Sequence, residues 1–468
     1  MMSFSTPHAQ IPLAELIASL TVALDMTEGQ PPEHSMRCCW IGMHIGQALG
    51  LSDSQLHDLY FTLLLKDAGC SSNAARICEL YATDDLRFKQ RYKTVGTSLT
   101  SVINFVMKNA GAGESWRKRL TTAVDILKNG SEYAQELIQT RCTQGAQVAR
   151  ELRFNEDVAQ GIQNLDEHWD GSGWPLGLKG EAIPLYARIA LLAQITDVFQ
   201  HEYSLQTAFK ELQHRAGHWL DPQLVVIAQT LEHNREFVSV LTSPSIAPQV
   251  LSMSPAQSMC TLDDDYFDCI VSAFGKIVDA KSPFTAGHST RVALFSTLIA
   301  EELQLDAIEI LWLKRAALLH DLGKLGVSNT ILDKPGKLDD QEWAEVQLHA
   351  TYTRHILAHL SPLQAFAKMA AAHHEKLDGS GYPDGLVAAE ISLMTRIITT
   401  ADIFDAITAE RPYRGAIPVP KTLEIMAENI GTAIDTDCFK ALQAALAKLP
   451  EKYTQGLGSD AVPASPLL

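Results

Sequence analysis

The sequence predicts an all-α protein built from two tandem helical domains of one type. Three observations carry that prediction. Apolar residues recur at helical spacing along most of the 468 residues, no alternating run points to a large sheet, and the second half repeats the first.

Helical periodicity in the first half is clearest over Ile11–Leu24 and Trp40–Leu49. In the second half it runs over Asp268–Asp279, Val292–Leu303, Ile310–Leu319 and Thr422–Ile430. Asp-Gly-Ser-Gly and Lys-Pro-Gly turns punctuate these segments. Between the halves, Ser-Pro-Ser-Ile-Ala-Pro and Ser-Met-Ser-Pro break the pattern and read as a Pro/Ser-containing linker. The resulting division is a first domain over 12–235, a linker over 236–265, a second domain over 266–450 and a flexible tail over 451–468.

The repeat is explicit. Glu33-His34-Ser35-Met36-Arg37 matches Gly287-His288-Ser289-Thr290-Arg291, and Leu65-Lys66-Asp67 matches Leu319-His320-Asp321, both at an offset of 254. Asp170-Gly171-Ser172-Gly173-Trp174-Pro175 matches Asp378-Gly379-Ser380-Gly381-Tyr382-Pro383, and Arg188-Ile189 matches Arg396-Ile397, both at 208. An offset of 254 falling to 208 means a net insertion of 46 residues in the first half, between Asp67 and Arg141.

Composition narrows the function. With 38 basic and 55 acidic side chains the net charge is −17, which argues against broad binding to DNA, RNA or an anionic membrane surface. No apolar run approaches the roughly 20 residues of a membrane span. The first eleven residues lack the basic start and apolar stretch of a signal peptide, and the eight cysteines have no paired metal spacing. A reduced, cytoplasmic protein is the expectation.

Chemistry concentrates in the second half. His320-Asp321 ends the apolar run Trp312–Leu319, and His288 lies one predicted helix earlier. His349 follows a stretch rich in Glu and Gln, His373-His374 form an adjacent pair, and Asp402 ends the run Ile397–Ala401. Imidazoles and carboxylates without thiolates suit a first-row divalent metal. Asp321 is the natural bridge, since one carboxylate can hold two cations, and a two-metal site is suited to attack on a phosphate ester. His355 and His359 read as bystanders in the core.

These residues sit in an ordered series of motifs: His288-Ser289-Thr290-Arg291, His320-Asp321-Leu322-Gly323-Lys324, Ile331-Leu332-Asp333-Lys334-Pro335-Gly336, His373-His374-Glu375, Gly381-Tyr382-Pro383, Ala401-Asp402-Ile403-Phe404-Asp405 and Arg411-Pro412-Tyr413-Arg414. Residues 266–450 resemble the HD-GYP domain, a bacterial branch of the HD metal-dependent phosphohydrolases. The resemblance implies hydrolysis of a 3′,5′-cyclic dinucleotide, cyclic di-GMP or 3′,3′-cyclic GMP-AMP, in second-messenger signalling. It implies two divalent ions, Fe or Mn first and Ni, Zn or Mg also compatible. By motif position their ligands are His288, His320, Asp321, His349, His373, His374 and Asp402. Asp321 and Lys324 would act at the reacting phosphate, Arg411 and Arg414, one turn apart if helical, would clamp phosphate, and Tyr382 would reach a base or a partner protein. Asp405 is expected to orient a neighbouring group. Some members carry a Glu four residues before the first histidine that helps to hold a third metal; Phe284 stands there and points to two. Rival readings are another HD-type nucleotide phosphohydrolase and a non-catalytic cyclic dinucleotide sensor.

The first half has lost this set. His34 and Asp67 remain, but Lys66, Arg141, Leu165, Asp166 and Gln194 replace the other five, and Cys70 replaces Lys324. Cations at two former ligand positions disfavour a dication. Residues 12–235 are therefore expected to fold like the second half without its metals, as a regulatory or structural domain through which a homodimer or partner protein could form. Lys66 and Arg141, if both face the vacated pocket, would attract a phosphate.

Overall fold

The computed structural model describes residues 12–95, 105–106, 108–111, 116–255, 262–358, 364–412 and 414–449. His359, Tyr413, linker residues 256–261 and the tail from 450 lie outside them. The described residues form helices joined by turns, with isolated bridges and no longer strand. They divide into two compact units, the first ending at Leu262 and the second beginning at Asp263.

The first unit opens with α1 (Leu13–Thr27), α2 (His34–Ala48) and α3 (Asp53–Leu65), continues through the 36-residue α4 (Trp116–Glu151) and packs α5 (Leu185–Glu202) on α2. The second begins with α6 (Asp264–Asp279), α7 (His288–Glu302) and α8 (Ala307–Leu319), followed by α9 (Asp340–Ala358), α10 (Gln364–Ala371), α11 (Leu393–Thr408) and α12 (Thr436–Lys448). Helices α2 and α7 each have 15 residues and α3 and α8 each have 13, both pairs at the sequence offset of 254. Local chemistry repeats with them. Ser52 and Gln55 close a capping box on α3, and Asp306 and Glu309 close one on α8, so each helix start satisfies its free amides in the same way.

Helix α7 is central to the second unit, packed on α8, α11 and α12. Phe295 on α7 meets Phe404 on α11 edge to face, with ring centroids 4.8 Å apart and both rings buried. Each such ring contributes roughly 1.5–3 kcal/mol by burial. A close approach sets the next layer. A Cβ on Gly323 would lie 2.0 Å from the His349 carbonyl oxygen, and one on Gly69 would lie 1.9 Å from that of Arg141. Only glycine lets the turn after α8 lie against α9 this closely. The same contact in both units places Arg141 where the other unit has His349.

Part of the stretch read as linker is folded. Helices Arg235–Leu241 and Ala247–Ser252 pack on α2. Trp40 Nε1 donates to the Phe237 carbonyl (3.2 Å), and Glu33 accepts from Ser245 Oγ (2.9 Å) and Ile246 N (2.8 Å). Pro248, taken from sequence as a breaker, lies in the first turn of its helix, where a missing N–H leaves no bond unmade. The inserted residues also build structure. Helices Ala74–Tyr81 and Asp85–Tyr92 pack Ile77, Tyr81 and Phe88 with Ile126 and Leu137 of α4 into a separate apolar cluster.

Candidate metal centre

Five histidines and two aspartates converge in the second unit, and helix ends supply most of them. His288 is the first residue of α7, entered through Gly287 at φ 69°, a left-handed turn that glycine adopts without strain. His320 caps the end of α8, His373 and His374 follow α10, His349 projects from α9 and Asp402 from α11.

Asp321 lies between two sets of imidazoles. Its Oδ2 is 3.3 Å from both His288 Nε2 and His320 Nε2. Its Oδ1 is 3.5 Å from His349 Nε2 and 3.6 Å from His373 Nε2. Asp402 Oδ1 closes the first set, 3.4 Å from His288 and 3.8 Å from His320. His374 joins the second, its ring 4.0 Å from that of His373 and 5.0 Å from that of His349. Ligand atoms of Asp321, His349, His373 and His374 all lie within 4.8 Å of one another, as do those of His288, His320 and Asp321.

The imidazoles are presented for coordination. His320 Nδ1 donates to the Ala317 carbonyl (2.7 Å), His349 Nδ1 to Val346 (2.6 Å) and His373 Nδ1 to Ala370 (2.6 Å). A carbonyl only accepts, so each Nδ1 carries the proton and each Nε2 directs a lone pair at the cluster. His288 Nδ1 is held by Asp405 Oδ2 at 2.7 Å, and Arg291 Nε fixes the other oxygen of Asp405 at 2.5 Å. Asp405 thus orients His288.

Electrostatics agree. Burial pushes His349 down to about 4 and His374 to about 3, and takes His373 well below its usual range, so all three stay neutral at pH 7. Burial opposes ionisation of Asp321 and Asp402, yet both are held well below the carboxylate range, Asp321 chiefly by His320 and Lys324 and Asp402 chiefly by His288. Three carboxylates, of Asp321, Asp402 and Asp405, outweigh burial at His288 and raise it. His288 Nε2, His320 Nε2 and Asp321 Oδ1 are buried without a hydrogen-bond partner. Buried donors and acceptors left this way are expensive unless something satisfies them; the two nitrogens face Asp321 Oδ2, and Oδ1 faces His349 and His373. The donor set fits divalent ions.

Other expectations are redistributed. Lys324 lies in a 3₁₀ turn, Leu322–Gly326, with its ammonium on Asp321 Oδ2. Arg411 and Arg414 do not share a helix. They close a reverse turn, Arg411 N to Arg414 O at 2.8 Å and Arg414 N to Arg411 O at 3.0 Å, because α11 ends at Thr408. The Arg414 guanidinium binds the carbonyls of Ala406 (2.7 Å), Ile407 (2.7 Å) and Gly415 (3.2 Å), capping α11, whereas Arg411 makes a long bond from Nε to Ala406 O (3.5 Å). Tyr382 turns inward, its ring 4.8 Å from that of His374. Glu375 braces its loop by accepting from Asp384 N (2.7 Å) and Leu386 N (2.9 Å). Sequence reasoning missed Trp343, whose half-exposed ring meets Tyr382 at 6.1 Å. An aromatic on the polar face of α9 was the available signal.

Such a cluster on helix ends, in an all-helical unit, defines a metal-dependent hydrolase of the histidine–aspartate class. The chain belongs to the HD domain family, whose model matches residues 122–224 and 273–438, and its second unit to the HD-GYP branch. It is 66% identical, over 96% of its length and 98% of the relative's, to 3'3'-cGAMP-specific phosphodiesterase 3 of Vibrio cholerae. A cyclic di-GMP phosphodiesterase of Thermotoga maritima is 37% identical over 36% of this chain and 45% of its own. Among solved structures, a cyclic GMP-AMP specific phosphodiesterase of V. cholerae matches with a TM-score of 0.65 and 60% identity, covering 94% of this chain and 99% of that one. No helix among the described residues is long and apolar enough to cross a membrane.

Asp405→Asn tests the support of His288. The amide keeps the volume but loses the charge that holds Arg291 and the imidazole. Metal affinity should fall about 10–100-fold, the usual effect of removing a ligand's hydrogen-bond partner, as read by metal content after dialysis against a graded chelator.

Proposed function

We propose that this chain hydrolyses a 3′,5′-cyclic dinucleotide to the linear dinucleotide, with 3′3′-cGAMP preferred, in the cytoplasm of a bacterium. The observation that carries the reading is the seven-residue cluster around Asp321, in a chain 66% identical to a 3'3'-cGAMP-specific phosphodiesterase.

The cluster would hold two divalent ions, Fe or Mn. His288, His320 and Asp402 would serve one, His349, His373 and His374 the other, and the two oxygens of Asp321 both. Bound there, the ions would supply Lewis acidity toward a phosphoryl oxygen and a water acidic enough to attack phosphorus. Phe284, in the turn Pro283–Thr285, offers no donor for a third.

The protein's own groups do the rest. The Nδ1 bonds to carbonyls fix the tautomers of His320, His349 and His373, so these three imidazoles need not reorganise on binding. Lys324 brings a cation onto Asp321, where charge on the phosphoryl oxygens would meet it. Arg411 takes the second phosphate, since the donors of Arg414 are engaged by helix carbonyls. Tyr382 and Trp343 give the bases an aromatic platform. Tyr382 acts on substrate in this reading, not on a partner protein.

A hydrolysis assay of the full-length protein with Mn²⁺ or Fe²⁺ tests this, with 3′3′-cGAMP and cyclic di-GMP offered separately. Turnover favouring 3′3′-cGAMP and absent from His320→Ala/Asp321→Ala is expected. A preference for cyclic di-GMP would favour the second reading, to which the Thermotoga relative points. Turnover of neither, with metal bound, would leave a binding-only protein.

A further inference from the structure

The first unit keeps a cavity beside the position of its lost metal centre. Its volume is about 230 Å³, and its walls combine the vacated site with residues of the 46-residue insertion. At the former centre, Lys66 Nζ lies 3.0 Å from His34 Nε2 and contacts Asp67, so an ammonium stands where the second unit gathers ligands. Lys93 and Lys89 reach Glu28 (2.6 and 3.5 Å), and Arg141 Nε pairs with Asp166 (2.8 Å). Lys89, Lys93, Arg141 and Arg215 line the cavity against two carboxylates, Glu28 and Asp166, in a chain whose net charge is −17.

Arg215 decides what the cavity is for. It is 1% exposed, its Nε binds Glu211 (2.7 Å), and its guanidinium lies 4.2 Å over the ring of Trp219. Both Nη1 and Nη2 are buried without a hydrogen-bond partner, on a residue that lines this cavity. Two parallel donors with nothing to bind are costly, and a planar fork of this kind matches a phosphate. Around it the lining is aromatic, with Trp219, Tyr92 and Trp174, the last being the counterpart of Tyr382. The space is below the roughly 300–1,000 Å³ typical of drug-sized ligand sites, which is small for a cyclic dinucleotide and suited to half of one.

We propose that this cavity is a second binding site, for a nucleoside monophosphate. Arg215 takes the phosphate, and the base lies against Trp174 and Tyr92. The proposal is independent of the hydrolytic reading, since every residue it uses belongs to the first unit.

The test is calorimetric titration of full-length His320→Ala/Asp321→Ala with 5′-GMP, 5′-AMP, guanosine and inorganic phosphate. This background removes the second unit's centre from the signal. One equivalent of GMP or AMP should bind, at least about tenfold tighter than guanosine or phosphate, with quenching of tryptophan fluorescence. Adding Arg215→Gln should weaken it about 10–100-fold, the loss of a charged pair of hydrogen bonds. If Arg215→Gln melts early, Trp174→Leu takes its place in the titration, with a similar loss expected. No binding of either nucleotide, phosphate binding as tightly as GMP, or unchanged binding in a folded variant would overturn the proposal.

Discussion

Asp321→Ala should abolish hydrolysis and empty the centre. This carboxylate alone presents one oxygen to His288 and His320 and the other to His349 and His373, at 3.3–3.6 Å. Removing it deprives both ligand sets of their common anion and leaves Lys324 without its partner. Replacing a mere orienting group typically lowers metal affinity or activity about 10–100-fold. Losing a shared ligand should exceed that, with turnover down by about 10³-fold or more and bound metal down in parallel. Assay with saturating Mn²⁺ separates the two. Activity within tenfold of the parent at saturating metal would remove Asp321 from its central place.

Lys66→Met should destabilise the first unit by about 3–5 kcal/mol, the usual penalty for stranding one buried charge of a pair. Lys66 and Asp67 are buried, their charged groups in contact, with His34 Nε2 on the same ammonium. Burial alone would raise Asp67, but Lys66 foremost, with Lys93, brings it to about 2. The sign follows from linkage. A carboxylate lower in the folded state than its unfolded 3.8 adds stability that is complete above pH 3.8 and fades toward pH 2. In Lys66→Met that contribution should vanish, and with it part of the acid limb of stability between those values. Calorimetry should show a transition lowered by about 10 °C near pH 7. An unshifted transition would mean that the ammonium is not what holds the vacated centre together.

The two units embody two solutions to one packing problem. Both bring a histidine from α2 or α7 against an Asp–Arg pair. His34 Nδ1 meets Asp197 at 2.6 Å beside Arg37, as His288 meets Asp405 beside Arg291. The second unit leaves lone pairs and carboxylates facing one another, whereas the first neutralises its remnant with lysine and arginine. Keeping the frame and exchanging the charge lets the same fold stand with an ammonium at the remnant, and Arg215 lines the cavity beside it with both Nη donors unspent.

Much of this was legible in the chain. Apolar period gave the helices, because each buries a stripe whose spacing is local. Repeated motifs gave the two-fold plan, and the resemblance of residues 266–450 to the HD-GYP domain gave the seven converging residues. Pro248 misled, since proline breaks a helix interior but not a first turn. Arg411 and Arg414 misled because their spacing carries no sign that α11 ends at Thr408.

By itself the sequence determined the helical class, the repeat, the loss of ligands in the first half and the identity of the candidate ligands. Tertiary structure alone decided that Asp405 grips His288 across 117 residues, which oxygen of Asp321 serves which histidines, that Arg414 is spent on helix carbonyls, and that Arg215 lines a cavity. Residue type and period are written locally along the chain. Which donor meets which acceptor depends on how distant helices pack, and no single segment encodes that.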